Sequence, residues 1–92
     1  MQCFKFVING RVQGVCFRAS TVRFVNKKKL NIRGYVKNMS NGDVEVLAQG
    51  DNENLDILHN WLKKGPIMAK VISVKVVKID SFCDYDDFKI TY

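Results

Sequence analysis

The sequence lacks the features that mark several large classes of protein. None of its segments approaches the roughly 20 consecutive apolar residues of a membrane-spanning helix, so we expect no membrane association. Residues 1–10 carry neither the basic leader nor the apolar run of a signal peptide, which favours a cytoplasmic protein. With one proline and no repeat or low-complexity tract, the 92 residues are predicted to form a single globular domain, 1–92.

Metal ligands are also scarce. The three cysteines, Cys3, Cys16 and Cys83, are an odd number without paired ligand spacing, which favours reduced thiols over a disulfide framework. The single histidine, His59, has no visible second ligand and is interpreted as a surface or core-edge residue. The segment Asp84 to Asp87 lacks the loop and terminal glutamate of a calcium site, so we interpret it as an exposed turn. We therefore predict no metal and no cofactor.

Charge is the strongest feature of the composition. Fifteen Lys and Arg residues against nine Asp and Glu give a formal net charge of +6, which favours an anionic partner. The charge does not distinguish a phosphate from a nucleic acid. The clusters Lys27 to Lys29 and Lys63-Lys64 are interpreted as solvated helix ends rather than a binding patch.

Hydrophobic periodicity predicts alternating strands and helices. Asn41-Gly42 predicts a hairpin between strands at 34–37 and 44–48. The second helix, in 51–66, is expected to end at Gly65, with Ile57 and Trp61 packed against the sheet. The first helix is expected to begin at about Arg18. The left-handed residue that ends it is expected to be Asn31. The apolar sets are Phe4, Phe6 and Ile8 for the first strand; Ala19, Val22 and Val25 for the first helix; Leu55, Leu58 and Leu62 for the second; Val71 to Ile79 for the next strand; and Phe88, Ile90 and Tyr92 for the last.

This order of elements predicts the fold. A β-α-β-β-α-β series with a terminal strand matches the ferredoxin-like α/β plait of the α+β class. In that fold an antiparallel sheet carries both helices on one face.

The segment between the first strand and the first helix is a candidate anion site. Backbone N–H groups at a helix N-terminus have no intrahelical partner and lie at the positive end of the helix dipole. Gly14 permits a backbone conformation that makes N–H groups converge, and Arg18 adds a guanidinium suited to phosphate. The spacing alone, however, favours a simpler interpretation, in which Gly10 and Gly14 form an ordinary turn and Arg18 is an exposed helix residue.

Two longer stretches resemble signatures of one family. Residues 10–18, GRVQGVCFR, resemble the first signature of the acylphosphatase family, and residues 34–50, GYVKNMSNGDVEVLAQG, resemble its second. The resemblance covers essentially the whole chain. It departs from the family pattern at Asn31, where glycine is common, and at Tyr35, where tryptophan is frequent.

The resemblance implies metal-independent hydrolysis of an acyl phosphate to a carboxylate and inorganic phosphate. It implies that Asn38 positions the attacking water, although local sequence alone favours a turn residue there. It also implies that no covalent phosphoenzyme forms and that a phosphate or sulfate ion can occupy the loop. The implied phosphate-binding residues are Gln13, Gly14, Val15, Cys16, Phe17 and Arg18, with Arg18 catalytic.

The sequence allows three alternatives to this function. A cysteine-dependent phosphatase needs its arginine six positions after the cysteine, whereas Arg18 follows Cys16 by two. An RNA-recognition module has a similar fold, and Arg33-Gly34-Tyr35 resembles the start of its sheet motif, but the next residues, 36–38, are not aromatic. We therefore expect no specific nucleic acid partner. An accessory domain of a larger protein is the third alternative, and a free-standing, monomeric enzyme acting on a small acyl phosphate is simpler.

Overall fold

The computed structural model describes residues 1–80 and 85–92, so the interpretations of Cys83 and Asp84 fall outside the described residues. The elements follow the predicted order. Their bounds are β1 Gln2–Arg11, α1 Phe17–Lys27, β2 Ile32–Asn38, β3 Val44–Gly50, α2 Asn52–Leu62, β4 Lys70–Lys78 and β5 Phe88–Ile90.

The strands form one five-stranded sheet in the order β4-β1-β3-β2-β5. The pairs β1–β3, β1–β4 and β2–β3 are antiparallel, which confirms the plait, and β5 joins the edge of β2 in parallel, so the sheet is mixed. This pairing places Asn38, the last residue of β2, opposite Val44 of β3. The end of β1, which leads into the loop before α1, therefore lies in the same sheet as Asn38.

Both helices pack on one face of this sheet, as predicted. Phe17, Thr21 and Val25 form the buried stripe of α1, one helical turn apart. This differs from the predicted stripe, because Ala19 and Val22 are only partly buried. The buried residues of α2 are the predicted leucines. The core cluster shared by helices and sheet is Phe6, Ile8, Val12, Phe17, Val25, Ile32, Val36, Val44, Val46, Ala48, Leu55, Leu58, Leu62 and Phe88.

Aromatic contacts join the two helices. Trp61 of α2 stacks on Phe24 of α1 at 5.0 Å between ring centroids and lies 5.8 Å from Phe17. Trp61 therefore packs between the helices and against the core cluster, whereas Ile57, expected to pack on the sheet, is exposed. His59 is partly buried against the Phe6 ring, 5.2 Å away, which confirms a core-edge position.

Helix α1 ends differently from the prediction, and α2 ends as predicted. Lys29, with φ of 54°, is the left-handed residue after α1, whereas Asn31 is not among the residues with positive φ. At the end of α2, the Gly65 N–H donates to the Trp61 carbonyl at 2.8 Å with φ of 68°. A left-handed glycine after a helix satisfies one of its last carbonyls.

The sheet face opposite the helices carries a polar cluster around Glu45, which is buried. Its carboxylate accepts a hydrogen bond from the Tyr35 hydroxyl at 2.7 Å and lies 3.5 Å from Lys37 Nζ and 4.0 Å from Lys5 Nζ. Burial, with the Glu45 hydrogen bond next, raises the pKa of the Tyr35 phenol well above its usual range. Tyr35 thus belongs to this cluster rather than to the predicted site.

Within residues 1–80 and 85–92, no helix is long and apolar enough to cross a bilayer. The same part of the chain contains no group of three His, Cys, Asp or Glu side chains arranged to hold a metal ion.

Candidate active site

The N-terminus of α1 presents three backbone donors. The first helical hydrogen bond runs from Ser20 N–H to the Cys16 carbonyl at 2.9 Å, so the N–H groups of residues 17–19 precede it. Among the described residues, no side chain makes a capping hydrogen bond at this helix end, and the first turn contains no acidic residue. Both the donors and the positive end of the dipole are thus uncompensated by the helix itself, which favours an anion here.

The loop before α1 is shaped by two left-handed residues. Gly14 has φ of 74° and Cys16 has φ of 59°. A Cβ added at Gly14 would meet no atom within 4 Å, so glycine is needed there for conformation rather than for space. At Gly10, whose φ is 134°, close packing is a further reason, since a Cβ would clash with the Lys70 carbonyl where β1 and β4 shift register. Both glycines of the first signature are therefore needed for conformation, and Gly10 for space as well.

A cavity of about 400 Å³ opens between the α1 N-terminus and the end of β2. Arg18 is partly buried there, with its guanidinium carbon 4.8 Å from the centroid of the Tyr92 ring. No histidine or carboxylate side chain lies among the described residues that line it. These lining residues are Val12, Gly14, Cys16, Phe17, Arg18, Ala19, Asn38, Ile90 and Tyr92.

Asn38 lines this cavity and carries an unusual acceptor. Its Oδ1 is buried and has no hydrogen-bond partner in the part of the chain that the structure describes. Leaving a buried acceptor unsatisfied costs roughly 1–3 kcal/mol, so native proteins seldom keep one without a reason. An unsatisfied acceptor on a cavity-lining residue suits a donor that enters with a ligand.

Gln13 has a different role from the other loop residues. Its side-chain Nε2 donates to the carbonyl oxygens of Met39 at 2.7 Å and Asp43 at 2.9 Å. The Asp43 carboxylate in turn accepts a hydrogen bond from Asn9 Nδ2 at 2.9 Å. The Gln13 side chain therefore joins the loop to the hairpin that follows Asn38, and neither Gln13 nor Val15 lines the cavity.

Replacing Gln13 with alanine removes both bonds to the hairpin carbonyls. We expect the free energy of unfolding to fall by about 1–3 kcal/mol and the activity to fall, because the loop and Asn38 lose their direct connection. Urea denaturation and steady-state kinetics measure the two effects. The matched control is Asn60→Ala on the exposed surface of α2, and an equal loss of stability in both variants would contradict this role.

The sequence alone missed Val12, Ala19, Ile90 and Tyr92 as lining residues. The 88-90-92 alternation predicted the last strand, but β5 ends at Ile90, and Tyr92 beyond it is 94% exposed and stacks on Arg18. Only the parallel pairing of β5 with β2 brings this end of the chain to the cavity. His59 lies outside it on α2, where burial and, secondarily, Lys63 lower its pKa, so it supplies no proton to the cavity.

Comparisons with known proteins identify the family. The family model described as Acylphosphatase matches residues 4–90. The chain belongs to the acylphosphatase family. An acylphosphatase from Vibrio cholerae is 45% identical over 89 residues, which are 97% of this chain and 96% of that protein.

Solved acylphosphatases share the fold. The crystal structure of acylphosphatase from Bacillus subtilis superposes with a TM-score of 0.91 at 34% identity and covers 100% of both chains. An acylphosphatase from Coxiella burnetii gives a TM-score of 0.87 at 39% identity, with 98% of this chain and 92% of that chain covered. Hydrolysis of acyl phosphates is the function of this family.

Proposed function

We propose that the protein hydrolyses acyl phosphates to a carboxylate and inorganic phosphate in the cavity between α1 and β2, without a metal ion. The observation that carries the proposal is that Asn38, whose buried Oδ1 has no hydrogen-bond partner among the described residues, lines the same cavity as Arg18. The Asn38 amide suits the water that attacks, and the Arg18 guanidinium suits the phosphoryl group that is attacked.

The phosphoryl group would be held by Arg18 and the loop backbone. The guanidinium donates to two oxygens at once, and the N–H groups of residues 17–19 add donors at the positive end of α1. Phosphoryl transfer proceeds through a state with charge on the equatorial oxygens, so fixed donors stabilise it. These donors form part of a folded helix end and need little reorganisation during the reaction.

The attacking water would be oriented by Asn38. Its amide oxygen accepts a hydrogen bond from the water, and the amide carries no charge that would repel the phosphate. We propose that the proton lost by the water passes to a phosphate oxygen of the substrate, since the described residues that line the cavity include no histidine and no carboxylate side chain.

The leaving group explains why a site without a general acid can hydrolyse an acyl phosphate. An acyl phosphate expels a carboxylate with a pKa of about 4 to 5, which needs no general acid. An alkyl phosphate expels an alkoxide, which does need one. We therefore expect rapid hydrolysis of benzoyl phosphate, unchanged by EDTA, and negligible hydrolysis of glycerol phosphate. Phosphate release from both substrates measures this, and comparable rates on the two would contradict the proposal.

Cys16 is proposed to contribute its backbone conformation rather than its thiol. It is exposed, two residues from Arg18, and has a left-handed φ of 59°. Asparagine tolerates that conformation and valine does not. We expect Cys16→Asn to keep activity within about threefold, and Cys16→Val to lose roughly 1–3 kcal/mol of stability. A loss in Cys16→Asn as large as that in Arg18→Ala would point to a nucleophilic thiol instead.

We propose a free-standing, monomeric, cytoplasmic enzyme of one domain, 1–92, with small acyl phosphates as substrates and inorganic phosphate or sulfate as ligands of the Gln13 to Arg18 loop. The same charges that favour these anions would give only weak, salt-sensitive association with nucleic acid. Size-exclusion chromatography and phosphate titration of the loop amides by NMR test the monomer and the anion site.

A further inference from the structure

A second groove lies beside the cavity, between α1 and β5. Its volume is about 630 Å³. Ala19 and Ile90 line both the groove and the cavity, so the two spaces adjoin. The other residues that line the groove are Val22, Arg23, Asn26 and Lys27.

The groove combines an apolar floor with a basic rim. Val22 and Ile90 are partly buried against the core, whereas Arg23 and Lys27 are exposed. Arg23 and Lys27 are four residues apart on α1 and so point along the same side of the helix. No acidic residue lines the groove within the described part of the chain, so the two cations have no carboxylate among their groove neighbours.

We propose that this groove is the acyl subsite of the enzyme, and that it selects acyl phosphates whose acyl chain ends in a second anionic group. This inference rests on the proposed function, because it assumes that the phosphoryl group occupies the cavity beside Arg18. The acyl chain would then pass Ala19 and Ile90, lie on the apolar floor, and bring its terminal anion to Arg23.

Helix geometry sets the length of the chain that the groove fits. With a rise of 1.5 Å per residue, Arg23 lies roughly 7.5 Å along the helix axis from Arg18, and Lys27 roughly 13.5 Å. An acetyl group is too short to reach either rim cation. A six-carbon diacid such as adipoyl phosphate is long enough to span the axial distance to Arg23, and hexanoyl phosphate is the matched neutral substrate.

The experiment compares kcat/KM for adipoyl and hexanoyl phosphate in the wild type, Arg23→Ala and Arg33→Ala. Arg33 is an exposed arginine of β2 outside the groove and the cavity, so Arg33→Ala matches the loss of one positive charge. Because exposed ion pairs contribute at most about 1 kcal/mol, we expect the wild type to prefer adipoyl phosphate by about fivefold. Arg23→Ala should reduce this preference to about one, and Arg33→Ala should keep it.

A third substrate that ends in a phosphonate identifies the class of anion. A preference for it that equals or exceeds the preference for adipoyl phosphate supports a general anion site at Arg23. The preference should also shrink as salt is raised from about 0.01 M to 1 M, since exposed charges are then screened.

Several outcomes would overturn the subsite. If the wild type hydrolyses both substrates equally, or if Arg33→Ala removes the preference as Arg23→Ala does, the groove does not select the acyl group and the proposed function stands. If the folded wild type hydrolyses neither substrate, the proposed function fails and the subsite fails with it. Sedimentation that shows a dimer lost in Arg23→Ala would assign the groove to a second copy of the chain instead.

Discussion

Replacing Arg18 with alanine is expected to lower kcat/KM for benzoyl phosphate by on the order of 100- to 1,000-fold, as the loss of one transition-state donor does in other enzymes. Arg18 is the one cationic side chain among the described residues that line the cavity. Without it, the charge on the phosphoryl oxygens would be stabilised by backbone N–H groups alone. Arg18→Lys keeps a charge but not the two-pronged geometry, so we expect an intermediate loss.

This loss should not reflect unfolding. The Arg18 guanidinium lies against Tyr92, an exposed ring, and such a contact contributes about 0.5–1 kcal/mol. Urea denaturation should therefore show a small change in the free energy of unfolding. Arg33→Ala, which removes an exposed arginine of β2, serves as the control for net charge and should keep wild-type kinetics. Similar kinetics for Arg18→Ala and Arg33→Ala would exclude Arg18 from the reaction.

Replacing Asn38 with alanine should lower kcat by on the order of 100-fold, because the attacking water loses its acceptor. The stability of the protein should change little. Oδ1 has no hydrogen-bond partner among the described residues, so its removal also removes a buried acceptor that the fold leaves unsatisfied. A large loss of activity with little loss of stability is the pattern of a group kept for function.

Asn41 offers a matched control on the same hairpin. Its Oδ1 accepts a hydrogen bond from the Asp43 N–H at 3.0 Å, and its side chain is exposed. Asn41→Ala should lose about 0.5–1.5 kcal/mol of stability, the net value of a typical hydrogen bond, and keep most of the activity. If Asn38→Ala loses stability and keeps kcat while Asn41→Ala loses kcat, the roles assigned to the two amides are wrong.

Local chemistry made much of the fold predictable. Three local patterns predicted their elements correctly: the period of two in β1, the leucine spacing of α2 and the hairpin residues Asn41-Gly42. Each pattern depends only on a few neighbouring residues. The stripe of α1 was harder to predict, because Ala19, Val22 and Val25 fit a helical period almost as well as Phe17, Thr21 and Val25 do. Packing against the sheet decides between two such faces, and that packing is not local.

The candidate site also has features that the sequence predicts and features that depend on distant contacts. Arg18 and Asn38 were found through two short stretches that resemble one family, and the structure brings both to one cavity. The contacts of Gln13 could not be predicted, since they join residues 26 and 30 positions apart. The position of Tyr92 in the cavity lining could not be predicted either, because it depends on how β5 pairs with β2.

The most direct test of the central claim is the turnover of benzoyl phosphate in water enriched in ¹⁸O, with EDTA present, followed by mass spectrometry of both products. If water held by Asn38 attacks the phosphorus, the label appears in inorganic phosphate and the benzoate stays unlabelled. Label in the benzoate would mean attack at the carbonyl carbon, and an inert wild type would mean that the cavity only binds anions. Either result would contradict the account.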